Sequence, residues 1–284
     1  MANNSTEKRQ NNKIQNEEKI ENKFLKGTKD QNIGVYCDLF SARSSIEGQD
    51  GGVVSALLVK GFEEGLFDAA VVVSRGEGYR AEAVVATNAS EVLAAKGTKY
   101  LKVDVTKKMR ELISKGKKRI AIVCTPCEVK TARKIQQTAS KSCEVTVIGL
   151  FCFEAFNYCK LKDEIRARLG VDLDKVKKTQ VRQGKFTMQV NDFKYTCRVK
   201  DLDCASEIAC RFCDDFTSRL ADVSVGSVGS KHGYSTVVVR SKVGEKLVQN
   251  LKASKEAVDK QEIVRLSKFK KKRAKKSFVD LNKR

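Results

Sequence analysis

Proline is almost missing from this chain. Pro126 is the only one among 284 residues, where average usage is about 5%. Tryptophan is absent, and histidine occurs once, as His232. A single histidine argues against His-rich zinc and di-iron sites. It also argues against Ser-His-Asp or Cys-His catalysis unless His232 is itself the base, and no nucleophile-elbow motif accompanies it. No apolar run approaches the roughly 18–20 residues of a membrane helix. The opening Met1-Ala2-Asn3-Asn4-Ser5 lacks the apolar core of a signal peptide. A cytoplasmic protein is expected.

What is present in excess is cysteine and positive charge. Ten cysteines in a long cytoplasmic chain point to metal or cluster ligands plus buried thiols, not to a disulfide framework. The formal charge is +21, which invites a nucleic-acid reading. Its distribution weakens that reading. Residues 251–284 carry 13 Lys and Arg against 4 Asp and Glu, concentrated in Lys268-Phe269-Lys270-Lys271-Lys272-Arg273-Ala274-Lys275-Lys276. Such a run reads first as a solvated helix or frayed end, and second as a dock for an acidic partner or RNA.

Three segments are expected: a disordered or loosely helical polar extension over 1–30, a folded domain over 31–250, and a basic helical or disordered tail over 251–284. Within the domain, Ala69–Val73, Ala83–Ala86, Arg119–Val123, the run Cys143–Cys152 and Tyr234–Val239 read as strands. Lys107–Lys115, Val129–Gln136 and Tyr158–Leu169 read as helices, the last stopped by Gly170. A further short helix, Ser90–Ala95, is expected with Ser90 as its cap. Strands alternating with helices predict an α/β (α+β) fold, with a central mixed sheet, flanking helices and a small antiparallel β segment over 176–203.

Two strands run into cysteine. Arg119–Val123 leads to Cys124-Thr125-Pro126-Cys127, where the single proline would fix the angle of Cys127. The second leads to Cys152. Both cysteines then stand at carboxyl ends of strands, where open α/β sheets bind ligands. Further on lies Cys210-x-x-Cys213. Cys127 and Cys152 with Cys210 and Cys213 make a four-thiolate set that suits either tetrahedral zinc or an iron–sulfur cluster. Cys124 with Cys127 is the competing pair. Cys37, Cys143 and Cys159 read as small packed groups.

Three loops could approach a ligand closely. Gln49-Asp50-Gly51-Gly52 opens directly into a helix, whose N–H groups and dipole would favour an anion; an ordinary glycine turn is the plainer reading. Gly97-Thr98-Lys99-Tyr100 offers a cation, a hydroxyl and a ring, or is a basic surface turn. Gly226-Ser227-Val228-Gly229 lacks bulky side chains and could bed a flat ring or a pyrophosphate, or be a hairpin turn.

These motifs, taken together and in order, resemble the beta subunits of coenzyme F420-reducing hydrogenases. The resemblance rests on Ser41-Ala42-Arg43-Ser44, Gln49 to Gly52, Gly97 to Tyr100, Pro126-Cys127, Cys152-x-Glu154-x-Phe156, Cys210-x-x-Cys213, Ala221 to Ser230 and Gly233-Tyr234-Ser235-Thr236-Val237, and it spans about residues 33–250. It implies a subunit with one FAD and one 4Fe–4S cluster, passing electrons from the iron–sulfur chain of the hydrogenase's large and small subunits, or an equivalent donor complex, to coenzyme F420 as hydride. The implied cluster ligands are Cys127, Cys152, Cys210 and Cys213. The implied flavin contacts are Gln49, Asp50, Gly51, Gly52, Gly97, Thr98, Lys99, Tyr100, Thr125, Ser227, Val228 and Gly229, with no side-chain acid or base essential. The beta subunit of an F420-dependent formate dehydrogenase and a stand-alone F420 oxidoreductase are the near alternatives. A basic zinc-binding nucleic-acid protein is the distant one. The sequence departs from the pattern at Ala155, where Asn is common, and at Lys231-His232, where Pro-Asp is usual.

Overall fold

The structure, a computed structural model, describes residues 15–139 and 142–282. The first 14 residues of the expected polar extension lie outside the described residues. Eight strands form the main sheet: β3 (Asp38–Ser44), β4 (Ala69–Arg75), β5 (Ala81–Ala86), β6 (Arg119–Cys124), β7 (Glu144–Leu150), β11 (Val223–Gly226), β12 (Ser235–Val239) and β13 (Ala253–Glu256). Their order is β13-β3-β12-β11-β7-β6-β4-β5. Strands β4, β6, β7 and β11 pair in parallel. The remaining pairings are antiparallel. Five strands, β3 among them, therefore run one way and three the other. The expected mixed sheet with flanking helices is what the chain forms.

The apolar strands are buried on both faces, as parallel strands must be. Ala70, Val72, Ala121 and Val123 face one layer, shared with α2 (Val53–Glu63), α3 (Ala89–Ala94) and α7 (Lys242–Val248). Their neighbours Ala69, Val71, Ile120 and Ile122 face the other, shared with α1 (residues 15–24), α4 (Val105–Ser114) and α5 (Pro126–Ala139). This period-two division of consecutive residues between two cores is the pleat expressed as packing. Helix α3 is capped by Asn88, whose side chain accepts from Glu91 N, so the cap lies two residues before the expected Ser90.

A second, three-stranded antiparallel sheet is built from β8 (Lys178–Arg182), β9 (Lys185–Val190) and β10 (Phe193–Arg198). It packs with α6 (Tyr158–Leu169) around Phe156, Leu161, Ile165, Phe186 and Met188. A short pair, β1 (Thr28–Asp30) with β2 (Gly34–Tyr36), precedes the main sheet.

The sequence beyond residue 250 belongs to this architecture. Strand β13 is an edge of the main sheet, and α8 (Lys260–Asn282) lays Ile263, Ser267, Lys270 and Ala274 inward. Those four positions recur at helical spacing, so the helix has one buried face and one basic, exposed face.

Two arginines are fully buried within the framework. Arg133 lies 3.0 Å from Asp222 Oδ1. That Nη2 lacks the alignment of a hydrogen bond, so charge holds the contact, while Arg133 Nε donates to Leu220 O at 2.7 Å. Arg240 donates to Ser224 Oγ and to the carbonyls of Ile33, Val35 and Thr217. Burial pushes it down to about 10.

Candidate functional site

The common direction of β3, β4, β6, β7 and β11 puts the expected loops on one edge of the sheet. Residues 49–52 follow β3, Thr125 and Cys127 follow β6, Cys152 follows β7 and Ser227 follows β11. This is the carboxyl edge, where an open α/β sheet leaves a crevice.

Pro126 is the first residue of α5 and Cys127 the second, so proline stands where its missing N–H costs nothing. Cys127 is exposed. Its Sγ lies 3.3 Å from Thr125 Oγ1 and 3.9 Å from Lys102 Nζ. Glu128 steadies this turn, accepting from Val105 N at 3.0 Å and pairing with Lys102 at 3.2 Å. Cys124 points into the core, and burial pushes its thiol well up. The Cys124/Cys127 pair therefore does not face one ligand.

Cys152 follows the neighbouring strand. Burial, reinforced by Cys210, Cys127 and Cys213, pushes its thiol up to about 12, against the opposing charge of Lys270. Cys210 lies in the short 3-10 turn Ile208–Phe212 and is raised by burial, with Cys127 and Cys213 adding to it. Its Sγ accepts from Ala155 N at 3.4 Å. That contact comes from backbone, which any residue at 155 supplies, so the departure from Asn there leaves it intact. The four sulfurs thus feel one another across the edge, and all four cysteines are free thiols. Among the described residues, no three His, Cys, Asp or Glu side chains converge tightly enough to grip a single ion. Around zinc, thiolates at about 2.3 Å from the metal must crowd together. A cluster fills the centre with its own iron and sulfide and takes a wider ring of thiolates. The donor set, sulfur throughout, is of the chemistry that an iron–sulfur cluster takes.

Cys143 is buried as expected, whereas Cys159 is exposed, on the first turn of α6.

Gln49 and Tyr100 meet on β8. Gln49 Nε2 donates to Thr179 O at 3.0 Å, and Tyr100 Oη accepts from Val181 N at 2.8 Å. Burial pushes Asp50 up, partly offset by Arg182, His232 and Lys178. Burial likewise raises the Tyr100 phenol, and Asp50 adds to it. Gly51 N donates to Ser235 Oγ at 3.0 Å. Gly52 precedes α2 with φ 67° and caps it with no side chain, and a Cβ there would lie 1.8 Å from Ile46 O. Gly97 and Thr98 are exposed. Lys99 Nζ donates to Lys96 O at 3.1 Å and also to Ala95 O. Burial, then Arg75, pushes Lys99 down to about 8.

A backbone ladder joins this group to the cysteines. Phe156 N donates to Tyr100 O at 2.8 Å and Lys102 N to Phe156 O at 3.0 Å, while Glu207 N donates to Ala155 O at 2.9 Å. The loop carrying Tyr100, the segment after Cys152 and the approach to Cys210 thus form one strip.

The loop Ser227-Val228-Gly229 is engaged by the chain itself. Gly229 N donates to Glu262 Oε2 at 3.0 Å, Asp259 N donates to Gly229 O at 2.8 Å, and Val228 O accepts from Thr236 Oγ1 at 2.7 Å. At Gly229, with φ 89°, a Cβ would meet Asp259 O at 2.8 Å. What that glycine admits is the start of α8.

Sequence reasoning missed the contribution of α8. Lys270 Nζ donates to Cys152 O. Arg273 donates to Glu154 Oε2 and Phe153 O, both at 2.9 Å, and to Cys210 O at 3.1 Å. Its guanidinium lies 4.2 Å from the Phe153 ring centroid. The helical recurrence of Ile263, Ser267, Lys270 and Ala274 was the available signal, hidden by the lysines between them.

Comparison with known proteins agrees with this geometry. Residues 39–110 match the family model described as coenzyme F420 hydrogenase/dehydrogenase beta subunit, N-terminal part, and residues 117–263 match its C-terminal part. The chain is 36% identical over 257 residues to the coenzyme F420-dependent sulfite reductase of Methanocaldococcus jannaschii, covering 85% of this chain and 40% of that protein. It is 33% identical over 231 residues to the coenzyme F420 hydrogenase subunit beta of Methanothermobacter thermautotrophicus, covering 76% of this chain and 82% of that subunit. Among solved structures, a chain of the F420-reducing NiFe hydrogenase complex from Methanosarcina barkeri superposes with a TM-score of 0.83 at 29% identity, covering 89% of this chain and 94% of that one. With both family regions matched in order over one continuous sheet, the chain belongs to the coenzyme F420 hydrogenase/dehydrogenase beta subunit family.

Proposed function

We propose that this chain is the electron-transfer subunit of an F420-linked oxidoreductase, holding one 4Fe–4S cluster and one FAD. The reading is supported by the placement of the segments bearing Cys127, Cys152, and Cys210 with Cys213 along one edge of the sheet, tied to one another and to the Tyr100 loop by backbone hydrogen bonds. When bound, the cluster passes single electrons and the flavin pairs them into the hydride that coenzyme F420 exchanges. The four cysteines would hold the cluster. Gln49 to Gly52, Gly97 to Tyr100, Thr125 and Ser227 to Gly229 would hold the flavin, with Gly229 also meeting the start of α8. Lys102, whose Nζ lies 3.9 Å from the Cys127 sulfur, stands beside the ligand set. The electron donor is proposed to be a hydrogenase with large and small subunits. Among the described residues, no helix is long and apolar enough to cross a membrane; a cytoplasmic location is part of the proposal.

The likeness to a sulfite reductase favours a second reading. There this domain fills 40% of a longer protein, so the same module could take electrons from the reduced deazaflavin and hand them to another acceptor. A formate dehydrogenase partner is a variant of the same scheme. The zinc-binding nucleic-acid alternative is set aside by the family.

An anaerobic absorption spectrum tests the reading. Flavin bands over a broad iron–sulfur shoulder, bleached by reduced coenzyme F420, are expected. A colourless protein carrying stoichiometric zinc would sink it.

The pH dependence of flavin retention tests Lys99. Its charge is present below about 8 and lost above, so an anionic ligand beside it is held at pH 7 and released as the pH rises. Flavin affinity is expected to fall about tenfold between pH 7 and pH 9, the scale of one charge-assisted hydrogen bond. Lys99→Met should bind weakly at both. A wild-type affinity that does not change with pH would remove Lys99 from the site.

A further inference from the structure

Lys270 is among the most deeply buried side chains in the chain, 1% exposed. It occupies the inward stripe of α8, between Ser267 and Ala274, where an apolar residue would pack without penalty. Its ammonium donates to the carbonyl of Cys152. Among the described residues, no carboxylate pairs with it. Of the other cations on this helix, Arg273 is paired with Glu154 at 2.9 Å and Lys260 with Asp30 at 2.9 Å, Lys268, Lys272, Lys275 and Lys276 are exposed, and the half-buried Lys271 donates to Gln31 O.

A buried charge calls for a counter-charge, and a single carbonyl dipole is a poor one. That carbonyl belongs to Cys152, and Arg273, three residues on, reaches Cys210 O. Both cysteines stand in the four-cysteine group, so the ammonium is held against the backbone of the set that would carry the negative charge. Four thiolates around an iron–sulfur core carry net negative charge, and the potential of such a cluster follows the charges and hydrogen bonds around it.

We infer that Lys270 is the buried counter-charge of the cysteine site, a positioning residue that raises the reduction potential of the cluster bound there. The inference rests on the cluster reading given above. It assigns the basic helix a role inside the site. The ammonium favours the added electron because the reduced cluster is the more negative form, and burial keeps water from screening it.

The test uses the whole chain, purified anaerobically, as wild type and as Lys270→Met, Lys270→Arg and Lys272→Met. Iron and sulfide are counted, and the midpoint potential is read by redox titration followed by electron paramagnetic resonance. Lys270→Met should keep its cluster and be reduced about tenfold less favourably, which is about 59 mV for a one-electron couple. Lys270→Arg keeps the charge and should stay near wild type. Lys272→Met removes an exposed charge and should also stay near wild type, since water and salt screen it. Loss of the cluster from Lys270→Met alone, with Lys270→Arg loaded, would also support a charge requirement. A fully loaded Lys270→Met with an unchanged potential would overturn the inference, as would equal loss of cluster from both Lys270 variants. A wild-type protein with no cluster would instead fail the parent reading, before any variant is compared.

Discussion

Replacing Asp222 with alanine is expected to destabilise the fold by about 3–5 kcal/mol, the cost of stranding a buried charge. Arg133 is fully buried and its guanidinium faces Asp222 at 3.0 Å. Asp222 also accepts from Val147 N at 2.8 Å and from Ser241 Oγ at 2.6 Å. One carboxylate therefore ties α5, β7, the start of β11 and the cap of α7. Against a total stability of roughly 5–15 kcal/mol, the loss is large. For a chain of this size it corresponds to a fall in Tm of about 5–8 °C, readable by circular dichroism. Asp222→Asn, which keeps the acceptor oxygen, should lose less. A change below about 1 kcal/mol for Asp222→Ala would mean that the pair contributes little and that Arg133 is satisfied by Leu220 O and Gln136.

Cys210→Ser is expected to act on function without acting on the fold. Cys210 sits in a single 3-10 turn, held from outside by Arg273, and its replacement by a near-isostere should cost within about 0.5 kcal/mol. Iron and sulfide should fall to background, and electron transfer to coenzyme F420 should drop by more than about a hundredfold, beyond the 10–100-fold typical of outer-shell changes. Cys159→Ser, exposed and outside the proposed ligand set, serves as the control and should retain both. Full iron content in Cys210→Ser would remove this residue from the ligand set.

How far these features could be read before folding depends on the kind of signal each leaves. β6 and β7 are continuous apolar runs, and α6 is an amphipathic stretch ended by Gly170, so both classes are plain in sequence. β3 was missed because Asp38-Leu39-Phe40-Ser41-Ala42-Arg43-Ser44 mixes polar and apolar residues without a clean period, although it lies between β12 and β13 in the sheet. α8 was read as a tail because lysine dominates its composition, and its narrow inward stripe includes a lysine and a serine. The cysteines were legible as candidates from spacing alone. That Cys124 faces away while Cys127 and Cys152 share an edge required the parallel register of β6 with β7. Ser227 to Gly229 shows a different limit. A small residue announces that something comes close, but not what: at Gly229 it is the chain's own Asp259 and Glu262.

The strand order has a consequence for how such a protein can be inherited. The N-terminal family region contributes β3, β4 and β5, and the C-terminal region contributes β6, β7, β11, β12 and β13. In the sheet, β3 is enclosed between β13 and β12, while β4 and β5 lie at the far end beyond β6. The first region thus supplies two pieces of sheet that never touch, and the second fills the gap between them. A gene break between the two regions would yield fragments that each expose unpaired strand edges. Exchanging either region for another sequence has to restore three strand pairings at once, β3 with β12, β3 with β13 and β4 with β6.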